Sequence, residues 1–160
     1  MIHGKNILGF ALSAKGQQKH QTVSSQSGEV LTGEFSEATL DEVEQALDKA
    51  HHAFELYAKV SGKTRATFLR AIAAEIEVMG EPLVERCMAE TGLPEVRILG
   101  ERKRTCFQLE SFAKVLEEGS WVEARIDRGD ATRAPVPKPE IRKMLRPMGP
   151  VVVFTASNFP

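Results

Sequence analysis

At 160 residues the chain is long enough to bury one core, and 42% hydrophobic with 27% charged residues is the balance of a globular protein. A formal net charge of −1 without a basic stripe argues against a nucleic-acid partner. No apolar run approaches the roughly 20 residues that would span a bilayer, so no membrane association is expected.

The N-terminus, Met1 to Phe10, is too short and too mixed for a signal peptide. Residues 5–35 hold apolar stretches broken by glycine and polar clusters: Ile7-Leu8-Gly9-Phe10, Gln21-Thr22-Val23 and Gly28-Glu29-Val30-Leu31-Thr32. These read as short strands, with Ser25-Gln26-Ser27-Gly28 as a turn. Helical period begins at Thr39. Leu40, Val43, Leu47, Ala50, Phe54 and Tyr57 recur at three- and four-residue steps and give one apolar face. Thr39 followed by Glu42 predicts a capping box. Ser61-Gly62 breaks the pattern. A second helix carries Leu69, Ile72, Ala73, Ile76 and Met79, and Gly80 closes it. A third opens at Glu81-Pro82 and runs to Thr91-Gly92. A fourth, long helix follows Pro94 through Leu99, Cys106, Leu109, Phe112 and Leu116 to Gly119.

The texture then changes. Trp121–Asp127 predicts a strand, residues 129–139 a proline-rich loop, and Ile141–Arg146 a second strand. Pro147-Met148-Gly149-Pro150 turns into Val151-Val152-Val153-Phe154, whose three β-branched residues predict a buried strand packed by the four helices. At the C-terminal end of a strand in an α/β sheet, ligands bind. Asn158, before Phe159-Pro160, stands there, although asparagine before Phe-Pro is also a good turn residue.

Ser61-Gly62-Lys63-Thr64 is like the end of a phosphate-binding loop. The full pattern needs glycine at position 57, where Tyr57 stands, and a strand before it, so a helix-to-helix turn capped by Ser61 is expected. His51 and His52 are adjacent on a helix and point about 100° apart, which prevents a shared metal. Cys87 and Cys106 read as small buried residues, free thiols in a cytoplasmic protein. Arg97, Gly100-Glu101, Arg104-Thr105 and Gln108-Leu109 are unusually polar for a packing helix. A solvated face is one reading; a guanidinium that takes a substrate carboxylate bidentately is the other.

Taken together, Gly28-Glu29-Val30, Glu90-Thr91-Gly92 with Pro94, and Gly149-Pro150-Val151 through Asn158-Phe159-Pro160 resemble the N-terminal third of the aldehyde dehydrogenase superfamily over roughly residues 21–160. Gly100–Thr105, Gln108-Leu109, Ala134–Pro139 and Ala156–Pro160 resemble one branch of it. That branch contains NADP-preferring aldehyde dehydrogenases and 2-oxoglutarate semialdehyde (2,5-dioxopentanoate) dehydrogenases. Many other branches have Pro-Trp before the asparagine, where Ala156-Ser157 stands here.

The resemblance implies an α/β fold. Residues 1–119 and 148–160 would belong to a cofactor-binding domain, and residues 120–147 to a β excursion used in homo-oligomerisation. It implies NADP or NAD as cofactor and a small-molecule aldehyde as substrate. Asn158 would donate its amide to the developing oxyanion. Phe154, Thr155, Ala156 and Ser157 would face the nicotinamide half of the cofactor. Arg104, Thr105 and Gln108 would border the substrate tunnel. The family's nucleophilic cysteine, general-base glutamate and adenosine-phosphate-binding lysine have no match among these residues. The chain is therefore expected to be an N-terminal fragment, inactive by itself and prone to aggregate through its last strand. A non-catalytic helical interaction module is the alternative.

Overall fold

The computed structural model describes residues 2–156 and 160. The N-terminal segment forms antiparallel pairs. Strands β1 (Asn6–Leu8) and β2 (Ala11–Ser13) make a hairpin in the register Asn6↔Ser13, Ile7↔Leu12 and Leu8↔Ala11. Strand β3 (Lys19–His20) pairs with β4 (Phe35–Ser36). The stretches expected as strands at 21–23 and 28–32 shrink to a single bridge, Val23↔Val30, around the predicted turn. Each is too short, and too rich in local Ser hydroxyl bonds, to extend a ladder; Ser24 Oγ accepts from the Gln26 and Ser27 amides.

Helix α1 (Leu40–Tyr57) begins at the predicted capping box. Thr39 Oγ1 accepts from the Glu42 amide at 3.2 Å, and Glu42 Oε2 accepts from the Thr39 amide at 2.9 Å. Glu42 does more than cap. Its Oε1 accepts from the Lys15 amide at 3.2 Å, which ties the helix start to the chain leaving β2. These partners account for a glutamate that is fully buried. A hydrogen bond from Ser13, the Thr39 amide and the Lys15 amide hold its pKa at about 2, below the ordinary 4.5. The sign follows: a depressed carboxylate stabilises the fold fully above pH 4.5, and that contribution fades as pH falls toward 2. The wild-type chain should therefore exceed Glu42→Gln in Tm at neutral pH. The two should converge in acid-unfolding scans across that window. A Tm gap that stays constant through the window would contradict this role.

Helix α2 (Gly62–Thr91) is two helices joined at Gly80, whose φ of 56° and ψ of −136° break the ladder where the sequence predicts a stop. Pro82 reinforces the break. Arg102 Nη1 donates to the Gly80 carbonyl at 3.2 Å, satisfying an acceptor that the kink releases. Helix α3 (Glu95–Glu118) ends at Gly119. The four predicted helical segments are thus α1, the two halves of α2, and α3. Ser61 caps α2 by accepting from the Thr64 amide at 3.1 Å, so the Ser-Gly-Lys-Thr segment is a helix start.

The α2–α3 contact is the principal packing unit. Ala66 and Ala113 are fully buried there, with Val84 and Ile98 close to it. Arg70 clamps the pair, donating from Nε to Glu110 Oε2 at 2.9 Å and from Nη1 to Glu117 Oε1 at 2.6 Å. The start of α2 passes so close to the end of α3 that a Cβ on Gly62 would lie 2.4 Å from the Leu116 carbonyl oxygen. Helix propensity alone makes glycine-to-alanine stabilising by roughly 1 kcal/mol. Gly62→Ala should instead destabilise by about 1–3 kcal/mol, the usual cost of overpacking against rigid backbone. Denaturant unfolding decides, and a stabilised variant would show that the contact yields freely.

Arg86 fastens the N-terminal segment to α2. It donates to Glu90 Oε1 at 2.6 Å, to the Thr32 carbonyl at 2.6 Å and to Thr22 Oγ1 at 2.7 Å. Beyond α3, Ser120–Val122 form a 3-10 turn, so the strand predicted from Trp121 starts late. Strand β5 (Arg125–Asp127) pairs antiparallel with β6 (Ile141–Lys143), as expected of this excursion but with both strands shortened.

Two expectations need correction. The four helices do not pack around Val151–Phe154. Residues 151–156 carry no regular structure, and Val152 and Phe154 are 65% and 93% exposed. A strand exists only through ladder partners, and none of the described residues pairs with this run. Helix α1 likewise packs chiefly on β1, and leaves Leu40, Val43 and Leu47 of its apolar face exposed.

Candidate functional site on helix α3

The spacing of Glu101, Arg104, Thr105 and Gln108 is i, i+3, i+4 and i+7, which stacks all four on one face of α3. They line a shallow cavity of about 260 Å³ whose remaining wall is Pro160. The three residues expected to border the substrate are thereby brought together, and the end of the Asn-Phe-Pro segment meets them. Pro160 as a wall was not foreseen; the available signal was its place directly after the polar segment.

The electrostatics centre on Glu101, whose side chain is 15% exposed. Its Oε1 accepts from Arg97 Nε at 2.9 Å, and its Oε2 faces Arg104 Nη1 at 3.4 Å. Glu110, the other acidic neighbour on α3, is held by Arg70. Arg104 itself is 57% exposed at the cavity. The arrangement offers a planar cation, a hydroxyl and a carboxamide to one small volume. That set matches a carboxylate with a neighbouring carbonyl oxygen.

A second cavity, of about 270 Å³, adjoins the first and shares Thr105 and Pro160 with it. It is apolar, walled by Met79, Leu83, Cys87 and Ile98. Cys87 is not an activated nucleophile: burial, then Glu90, pushes its thiol up. Burial does the same to Cys106, with Glu77 adding to it, and its Sγ lies 3.7 Å from the Ala73 carbonyl.

The expected cofactor residues Phe154, Thr155 and Ala156 are exposed and line neither cavity. Ser157 and Asn158 lie outside the described residues. Among the described residues, no three His, Cys, Asp or Glu side chains assemble as metal ligands, and no helix is long and apolar enough to cross a membrane.

Comparison with known proteins bears on this geometry. Two curated relatives are the alpha-ketoglutaric semialdehyde dehydrogenase 2 of Azospirillum brasilense, 46% identical over 126 residues, and the alpha-ketoglutaric semialdehyde dehydrogenase of Acinetobacter baylyi, 47% identical over 126 residues. In both cases the alignment covers 79% of this chain and 24% of the relative, so the chain spans about a quarter of their length. A solved structure of an NAD-dependent benzaldehyde dehydrogenase from Corynebacterium glutamicum shares the fold, with a TM-score of 0.70 at 18% identity over 82% of this chain and 28% of that one. The aldehyde dehydrogenase family pattern matches residues 12–160, from β2 through the polar face of α3 to Pro160. A match over nearly the whole chain, together with the shared fold, settles its membership: this chain belongs to the aldehyde dehydrogenase family.

Proposed function

We propose that these residues form the N-terminal part of an NAD(P)-dependent aldehyde dehydrogenase that oxidises 2-oxoglutarate semialdehyde to 2-oxoglutarate. The observation that carries the reading is the identity of 46–47% to two enzymes of that name. The cluster of Arg104, Thr105 and Gln108 at one cavity supports it. The substrate has an aldehyde at one end and a 2-oxo acid at the other. The guanidinium of Arg104 would take the carboxylate, while Thr105 and Gln108 donate to its oxygens and to the 2-oxo group. Binding the inert end fixes the aldehyde end, which converts binding energy into orientation at the reacting carbon.

Asn158 would then donate its side-chain amide to the oxyanion formed when a thiolate adds to the aldehyde. Neither Cys87 nor Cys106 has the surroundings of a nucleophile, since desolvation pushes both thiols up and nothing near them lowers them into an activated range. In this proposal the nucleophile and the general base come from the part of the relatives that these residues do not match. When bound, NAD or NADP supplies the hydride acceptor. Phe154, Thr155 and Ala156 are open to backbone contact with it but enclose no cradle by themselves; Ser157 would continue the contact. Residues 1–119 and 148–160 would belong to the cofactor-binding domain. The β5–β6 excursion within 120–147 would serve homo-oligomerisation. Cys87 and Cys106 are free and half-buried, where the sequence suggests fully buried residues, and two free thiols suit a cytoplasmic setting.

The test is a steady-state survey of the enzyme at its relatives' length, with NAD+ or NADP+ and a panel of aldehydes. The highest kcat/KM should belong to 2-oxoglutarate semialdehyde, with 2-oxoglutarate as product. A preference for benzaldehyde or an unbranched neutral aldehyde would overturn the assignment.

A further inference from the structure

We propose that the apolar cavity beside the polar one is a side pocket of the same site, and that it takes a short alkyl branch on a 2-oxo acid aldehyde. The inference rests on the reading given above, in which the acid end of the substrate lies at Arg104, Thr105 and Gln108.

Two features of the fold build this pocket. The first is that α3 presents two neighbouring stripes. Arg104, Thr105 and Gln108 line the polar cavity, while Ile98, Arg102 and Thr105, spaced i, i+4 and i+7, line the apolar one. The stripes meet at Thr105, and Pro160 walls both cavities. A ligand held on the polar stripe therefore reaches the apolar cavity without crossing a helix. The second feature is the break in α2. At Gly80, with φ 56° and ψ −136°, the helix ends one run and starts another. Met79 stands before the break, Leu83 and Cys87 after it, and all three line the cavity. Both halves of α2 thus bound, with α3, a volume of about 270 Å³.

The lining selects the chemistry of the occupant. Arg102, the charged residue on this wall, is already engaged: Nη1 donates to the Gly80 carbonyl at 3.2 Å, and Nη2 lies 3.5 Å from Glu77 Oε2. It contributes its methylene stem to an otherwise apolar surface. A polar group entering there would lose its hydration with little in return, whereas an alkyl group gains by leaving water. Unfilled apolar volume of this kind takes small apolar groups. In 2-oxoglutarate semialdehyde the carbon next to the 2-oxo group is the one nearest to the donors Thr105 and Gln108. A branch on that carbon starts at the junction of the two stripes. The substrate class thereby widens to derivatives of 2-oxoglutarate semialdehyde that carry a short alkyl group on that carbon.

The experiment measures competitive inhibition of the enzyme at its relatives' length, with 2-oxoglutarate semialdehyde as substrate. The inhibitors are 2-oxoglutarate and its derivatives with methyl, ethyl or propyl on the carbon next to the 2-oxo group. In the wild type each added carbon should tighten inhibition by about twofold to fourfold, the effect of burying one methylene. The correspondingly branched semialdehydes should be oxidised, with KM falling in the same order. Cys87→Leu puts bulk into the pocket and should flatten the series, so that the propyl derivative binds no tighter than 2-oxoglutarate in the same variant. Met79→Phe adds bulk from an exposed position and makes the same test where Cys87→Leu does not fold. Inhibition that is unchanged or weaker along the wild-type series overturns the inference, since the cavity is then filled by other residues or closed to the site. A series that tightens equally in the wild type and the bulky variants places the branch elsewhere and overturns it too. If 2-oxoglutarate itself does not compete with the semialdehyde, the reading of the acid site falls and the inference falls with it. If it competes and the branches bring no gain, the inference alone is refuted.

Discussion

Asn158→Ala is expected to lower the single-turnover rate of cofactor reduction by roughly 10²-fold in an enzyme at its relatives' length, the usual effect of removing one oxyanion donor. Addition of a thiolate to an aldehyde places a full negative charge on the former carbonyl oxygen. A preorganised amide N–H aimed at that oxygen stabilises the charge without reorganising solvent. The neutral carbonyl of the ground state gains much less from the same donor, so the loss falls on the rate and little on substrate KM. Affinity for NAD+ or NADP+ should change by a smaller factor. An unaltered single-turnover rate would remove Asn158 from the chemistry and leave it as a turn residue before Phe159-Pro160.

Arg104→Ala should raise KM for 2-oxoglutarate semialdehyde by about tenfold to a hundredfold, the range for a hydrogen bond to a charged group. KM for a neutral aldehyde of the same length should change far less. The site explains the selectivity: Thr105 and Gln108 remain as neutral donors beside the cavity, while its cation is lost. Arg104→Lys separates charge from shape. A lysine restores the charge but not the planar fork, so its KM should fall between wild type and the alanine variant. Steady-state kinetics on both substrates check this, and equal shifts on the two would contradict a carboxylate role.

What could be read from the residues was what the backbone settles locally. Thr39 and Glu42 announced a helix start because both partners lie within one turn. Gly80 with Pro82, Gly92 and Gly119 each marked a helix end for the same reason, and the first of these ends is a kink within α2. The polar stripe from Glu101 to Gln108 followed from helical spacing, and it carries most of the candidate site. Long-range facts were not legible. Nothing near Glu42 in sequence foretold that Ser13 and Lys15 would bury it. Arg70 gave no sign that it would bridge to Glu110 and Glu117, although those two acids sit two turns apart on one face of α3. The Val151–Phe154 run shows the limit most clearly. Its composition favours a strand, but a ladder requires a neighbour, and none of the described residues pairs with it. Pairing of that run is a property of its partners and not of its own four residues.

The occupant of the cavity on α3 can be observed directly. A crystal structure of the enzyme at its relatives' length with 2-oxoglutarate bound should place the 2-oxo carboxylate within hydrogen-bond distance of Arg104, with Thr105 and Gln108 beside it and Glu101 still bonded to Arg97. A carboxylate bound elsewhere, with Arg104 turned away from it onto Glu101, would contradict the assignment of this face as the acid-recognition site.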